Sequence, residues 1–121
     1  MGERAVQNNA AVVYHNPKCS TSRKTLDLLR DNGYEPSIVA YLKTPPSRAQ
    51  LVELITDAGI EVRAAVRKRE ALYAELGLAD ASDDELLDAM AAHPILIERP
   101  FVTTAKGTRL ARPIDSVREI L

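Results

Sequence analysis

The chain has 121 residues, of which 45% are hydrophobic and 27% charged, and a formal net charge of −1. This length suits one domain with a buried core and is short for two. The near-zero charge excludes a general binder of nucleic acid or of membrane surfaces, because phosphates and lipid headgroups would feel no overall attraction.

Met1 to Asn9 are polar, lack the apolar core of a signal peptide, and are expected to form a flexible tail. No apolar run approaches membrane-spanning length. One cysteine rules out an internal disulfide, so the fold requires no oxidising compartment, and the cytoplasm is the expected location.

Ala11 to Tyr14 read as a short buried strand. It stops at Asn16-Pro17, since proline cannot continue a ladder and biases the residue before it away from helix. Ser20 to Asn32 are predicted as a helix, with hydroxyl residues in its first turn and Asn32-Gly33 as a left-handed stop. Ser37 to Tyr41 form a second strand. Strand, helix and strand with short links make a βαβ unit, so the two strands should be parallel neighbours.

A helical insertion is expected at about residues 44–93. Ser47 and Gln50 make a capping-box pair, Leu51, Leu54, Ile55 and Ala58 follow at helical spacing, and Gly59 closes that helix. Val62 to Lys68, Ala71 to Leu76 and Ser82 to Ala92 are predicted as three more helical pieces, the last capped by Ser82 and Glu85 and stopped at His93-Pro94. Phe101 to Thr104 and Thr108 to Arg112 then flank Ala105-Lys106-Gly107 as a β-hairpin. Pro113 opens a final helix with Ile114, Val117, Ile120 and Leu121 on one face. The order is βαβ, helices, ββα. It predicts an α/β layer structure, a mixed sheet flanked by helices in the order of the thioredoxin-like folds, within a single domain over residues 10–121.

Cys19 is the first candidate for chemistry. Free cysteine is often only a small core hydrophobe. This one follows a strand-breaking proline at a helix start, where unpaired N–H groups and the helix dipole favour a thiolate and also a bound anion. His15, if protonated, would add positive charge nearby. Single arginines are usually solvated surface groups. Arg99, however, precedes Pro100 at a strand start and Arg112 ends the next strand, so both can reach the sheet end that carries Cys19. The Arg63 to Arg69 stretch, including Arg67, offers a further local anion site. Guanidinium forks around a helix start suit a tetrahedral oxyanion, because planar donors bind its oxygens in pairs. His93 reads as a helix C-terminal residue. No second histidine or cysteine stands at metal-ligand spacing, so no metal and no bound cofactor are expected. There is no glycine-rich nucleotide loop, and Thr25 stands where a Cys-x5-Arg phosphatase loop needs arginine.

The stretch Tyr14-His15-Asn16-Pro17-Lys18-Cys19-Ser20-Thr21-Ser22-Arg23 resembles the active-site loop of the glutaredoxin-coupled arsenate reductases. The likeness continues through Tyr41-Leu42, Pro45-Pro46-Ser47-Arg48, Val62-Arg63-Ala64, Arg67-Lys68, His93 to Pro100 and Gly107 to Pro113. The resemblance implies a thioredoxin-like fold with a helical insert and conversion of arsenate to arsenite. It makes Cys19 the nucleophile and Arg67, Arg99 and Arg112 the oxyanion-binding residues. His15 and Ser22 would keep the thiol ionised, and the Arg99-Pro100 bond would be cis.

With no second cysteine, the thiol that completes reduction must come from outside. The family's answer is glutathione as co-substrate, followed by glutaredoxin. The chain stops at Leu121, where longer members carry a C-terminal extension. Two other readings exist. A transcription regulator of the Spx type, which binds RNA polymerase, carries a Cys-x-x-Cys switch; here Ser22 takes the second position and that switch cannot form. A thiol-dependent reductase paralogue of unknown substrate would keep the same loop.

Overall fold

The computed structural model describes residues 9–121. Residues 1–8, most of the expected tail, lie outside the described residues. The chain divides into two compact units, one built from the residues up to Ala40 together with Arg99–Leu121, the other from Tyr41–Glu98.

The first unit is a four-stranded sheet. Its elements are β1 (Ala10–His15), α1 (Ser20–Asp31), β2 (Glu35–Ala40), β3 (Phe101–Thr104) and β4 (Gly107–Leu110), followed by a 3-10 helix, Ile114–Ile120. The strand order is β2-β1-β3-β4. β1 runs parallel to β2, with Val13 opposite Ile38, and antiparallel to β3, with Val13 opposite Val102. This is the mixed sheet of the thioredoxin-like folds, and the two β1 neighbours follow from the connections: a helix crossover gives the parallel pair, while the β3–β4 hairpin is antiparallel.

Along α1 the buried residues are Ser22, Thr25, Leu26 and Leu29, one stripe at i, i+3, i+4 and i+7. Leu26 and Leu29 pack with Ala11, Val13, Val102, Ala111, Val117 and Ile120 into one apolar cluster. The helix ends as its sequence requires. Gly33 takes φ +83°, its N–H donates to the Arg30 carbonyl at 3.0 Å, and the Tyr34 N–H donates to the Leu29 carbonyl at 2.9 Å. That is a Schellman closure, and Tyr34 completes it by packing on the same cluster.

Several expectations for this unit change. The second strand starts two residues earlier, at Glu35, and Tyr41 falls in the turn beyond it. Gly107 belongs to β4 and pairs with Thr104, so the hairpin loop is Ala105-Lys106 alone. A side chain at Gly107, with φ +145°, would also meet Ile120. The final helix is 3-10 in type, with Pro113 as its N-cap. It still buries Val117 and Ile120, since a three-residue repeat matches the spacing of Ile114, Val117 and Ile120.

The second unit holds α2 (Arg48–Ala58), α3 (Ala71–Glu75) and α4 (Asp83–Ala92), with short 3-10 turns at Val62–Ala65, Leu78–Asp80 and Pro94–Leu96. Both predicted capping boxes are present, at Ser47/Gln50 and Ser82/Glu85, and Gly59 ends α2 in the left-handed region at φ +69°. α2 and α4 pack together, with Leu51, Leu54, Ile55, Leu86, Leu87 and Met90 buried. The Val62 to Lys68 helix is corrected: only one 3-10 turn forms, and Val66 is extended and bridges Ile97 in antiparallel fashion. The Arg67 N–H donates to the Leu96 carbonyl and the Glu98 N–H to the Ala65 carbonyl, both at 2.7 Å. The β-branched Val66 and Ile97 suit that pairing better than a helix. Among the described residues, no helix is long and apolar enough to cross a membrane.

Candidate active site

The loop after β1 is built by Asn16, which is buried. Its Oδ1 accepts the Lys18 N–H at 2.9 Å and its carbonyl accepts the Cys19 N–H at 3.0 Å. The first is a side chain standing in for a turn, the reason asparagine suits this position. The Asn16 N–H in turn donates to the Ser22 hydroxyl at 3.4 Å. From the exposed face Arg23 Nη1 donates to the Pro17 carbonyl at 2.8 Å, fastening the loop to the helix it leads into.

Cys19 emerges as the N-cap of α1, with φ −95° and ψ 120°. No side chain caps this helix, so its first-turn N–H groups remain to act on the sulfur. The Cys19 thiol is lowered from its ordinary value to about 7. Burial is the largest single influence and opposes ionisation. It is outweighed by the backbone N–H and hydroxyl of Ser22, the Arg99 side chain and the backbone N–H of Thr21, all of which favour the thiolate.

Two arginines reach this sulfur from the other end of the chain. Arg112 Nη2 donates to the Cys19 sulfur at 3.4 Å, and its Nε donates to the Arg99 carbonyl at 2.9 Å. Arg99 is buried, only 6% exposed. Each arginine precedes a cis proline, Pro100 and Pro113. The Arg99-Pro100 bond is cis as expected; the Arg112-Pro113 bond was not anticipated. The Ala111 N–H donates to the Pro100 carbonyl at 2.9 Å, so the two proline-bearing segments are tied side by side.

The structure thus brings together Cys19, Ser22, Arg99, Pro100 and Arg112. Arg67 lies in the Tyr41–Glu98 unit. There its Nε donates to Glu70 Oε2 at 3.1 Å, and its Nη1 stands 3.5 Å from Glu98 Oε1. His15 would add positive charge only if protonated, and its surroundings oppose that. Burial, then the charges of Arg23 and Arg30, push its pKa down and favour the neutral imidazole. Its Nδ1 is buried without a hydrogen-bond partner. Asn16 and the Thr21 N–H were missed in the sequence. Asn-Pro signalled a turn, but a side chain folding back on the loop has no linear signature.

A thiolate with two guanidinium groups and open N–H donors can attack an electrophilic centre that carries negative oxygens. The chain is similar to several known proteins. The chain is 57% identical to the arsenate reductase of Rhizobium meliloti (strain 1021) over 111 residues, covering 90% of this chain and 79% of that protein. It is equally identical, with the same coverage, to the arsenate reductase of Escherichia coli (strain K12). The uncharacterized protein YfgD of the same strain is 46% identical and is covered over 94% of its length. Among solved structures, the arsenate reductase from Vibrio cholerae superposes with a TM-score of 0.87 at 50% identity, over 93% of this chain and 98% of that one. The model of the ArsC family matches residues 14–120, and the chain belongs to the ArsC family.

Proposed function

We propose that this protein is an arsenate reductase, an oxidoreductase acting through Cys19. The observation that carries the reading is the 3.4 Å approach of Arg112 to a cysteine whose pKa is lowered to about 7. The identity to enzymes named arsenate reductases supports the choice of oxyanion. Cys19 thiolate attacks arsenic and forms a sulfur–arsenic bond, while an arsenate oxygen leaves as hydroxide and is protonated to water. Arg99 and Arg112 hold the remaining oxygens as charge moves, and Ser22 maintains the thiolate.

Reduction of arsenic from the +5 to the +3 state takes two electrons. Cys19 is the only cysteine and is regenerated, so both come from external thiols, which leave as a disulfide. Glutathione, followed by glutaredoxin, fits that need, with the cytoplasm as the compartment that keeps such thiols reduced. Arsenite formed from arsenate with glutathione and glutaredoxin, followed by arsenic speciation, tests the reading; no arsenite under full thiol supply overturns it.

A second reading is a thiol-dependent reductase paralogue with the same cysteine chemistry and a different oxyanion. Turnover of another oxyanion in the same assay, with arsenate inert, would select it.

A further inference from the structure

Beside the Cys19 site, a surface cavity of about 270 Å³ is lined by Thr21, Lys24, Ala111, Arg112, Pro113 and Ile114. It shares two walls with the sulfur: Arg112 donates to Sγ, and the Thr21 N–H favours the thiolate. Its floor is otherwise apolar, from Ala111, Pro113 and Ile114, and its charge is cationic, from Lys24 and Arg112. Arg112 is committed to Cys19 and to the Arg99 carbonyl. Lys24 is different. It is exposed, and among the described residues no hydrogen bond or ion pair engages its ammonium. Asp115, the residue after Ile114, pairs with Arg118, Nε to Oδ1 at 3.3 Å.

We infer that this cavity seats the small external thiol or disulfide that exchanges with Cys19, and that Lys24 selects for one bearing a carboxylate. The inference rests on the reading that Cys19 needs an external thiol; it adds where that molecule sits and what charge it carries. The cavity adjoins the sulfur through Arg112 and Thr21, while Asn16 and Ser22, which also bear on the Cys19 loop, are buried. A carboxylate meeting Lys24 would place the apolar part of a thiol-bearing molecule over Pro113 and Ile114. Lys24 is a specificity-determining residue in this scheme and takes no part in the bond changes.

Thiol–disulfide exchange tests this without arsenate. Cys19 thiolate attacks one sulfur of a disulfide, a mixed disulfide forms, and the other half leaves as thiolate, with no net oxidation. Rates of mixed-disulfide formation are measured by intact mass for the anionic glutathione disulfide and the cationic cystamine, with neutral iodoacetamide reporting the sulfur's own reactivity. Lys24→Glu should lower the glutathione-disulfide to cystamine rate ratio by about tenfold or more, with iodoacetamide alkylation unchanged. Lys24→Gln, which removes charge without adding any, should lower the ratio by about threefold, and Lys24→Arg should preserve it. A ratio that stays at the parent value in both Lys24→Glu and Lys24→Gln overturns the inference. Such a result would leave the arsenate reading standing, and a protein inert to arsenate would still give the ratio.

Discussion

Arg112 grips Cys19 and Arg99 with one guanidinium. Nη2 reaches the sulfur at 3.4 Å while Nε holds the Arg99 carbonyl at 2.9 Å. Only a planar fork with donors at fixed angles makes both contacts together. Arg112→Ala should therefore lower kcat/KM by about 10- to 150-fold, the equivalent of about 1.5–3 kcal/mol for a lost charge-assisted hydrogen bond. Arg112→Lys should recover only part of this, since one ammonium cannot span both partners. Full recovery by lysine would mean that charge alone matters.

Cys19→Ser should abolish turnover, by about a thousandfold or more, because a hydroxyl is a far weaker nucleophile near neutral pH. The fold should persist, since Cys19 is only partly buried and is not a member of the apolar cluster around Val13. Circular dichroism and steady-state kinetics on the same preparation check both halves, and residual turnover within a few-fold of the parent would remove Cys19 from the mechanism.

The rate of iodoacetamide alkylation should titrate with a midpoint of about 7. Ser22→Ala removes one of the donors to the sulfur and should move that midpoint upward, towards the ordinary thiol range. Arg99→Ala should move it in the same direction. A midpoint indifferent to both would mean that neither side chain acts on the thiolate.

The same shift makes stability depend on pH. A depressed folded-state pKa adds stability that is fully present above the unfolded thiol's pKa and is lost as pH falls through about 7. Urea unfolding of the parent and of Cys19→Ser at several pH values between 6 and 9.5 should therefore show the parent gaining on the variant as pH rises. A constant difference would place the thiol pKa at its unfolded value.

Arg67 carries a double load. Its guanidinium meets Glu70 and Glu98, and both Arg67 and Glu98 are largely shielded from water. Arg67→Ala should lower the melting temperature as well as any oxyanion affinity, because truncating one member of a shielded ion pair leaves the carboxylates poorly compensated. Arg99→Ala and Arg67→Ala are best compared by the KM for arsenate at a temperature where both are folded. Unchanged KM for Arg67→Ala, with reduced stability, would make Arg67 a structural residue.

The local elements of this protein were legible in its sequence because their signals are short-range. Asn16-Pro17 ended β1, Gly33 and Gly59 stopped their helices in left-handed conformations, and Ser47 and Ser82 capped theirs through side chains three residues from their partners. The single cysteine by itself ruled out an internal disulfide. Long-range pairing decided the rest. Val66 is extended because Ile97 offers it a strand partner, and Ile114–Ile120 winds as a 3-10 helix because Val117 and Ile120 must meet the cluster around Val13.

Nor does spacing along the chain reveal that Arg112 touches a cysteine 93 residues earlier. The sequence left the charge of His15 open, and in the fold burial and the charges of Arg23 and Arg30 favour the neutral ring. Residue type sets what a side chain can do. Its charge state and its partners depend on what the tertiary structure places around it, because desolvation and Coulomb energies are set by distance in space.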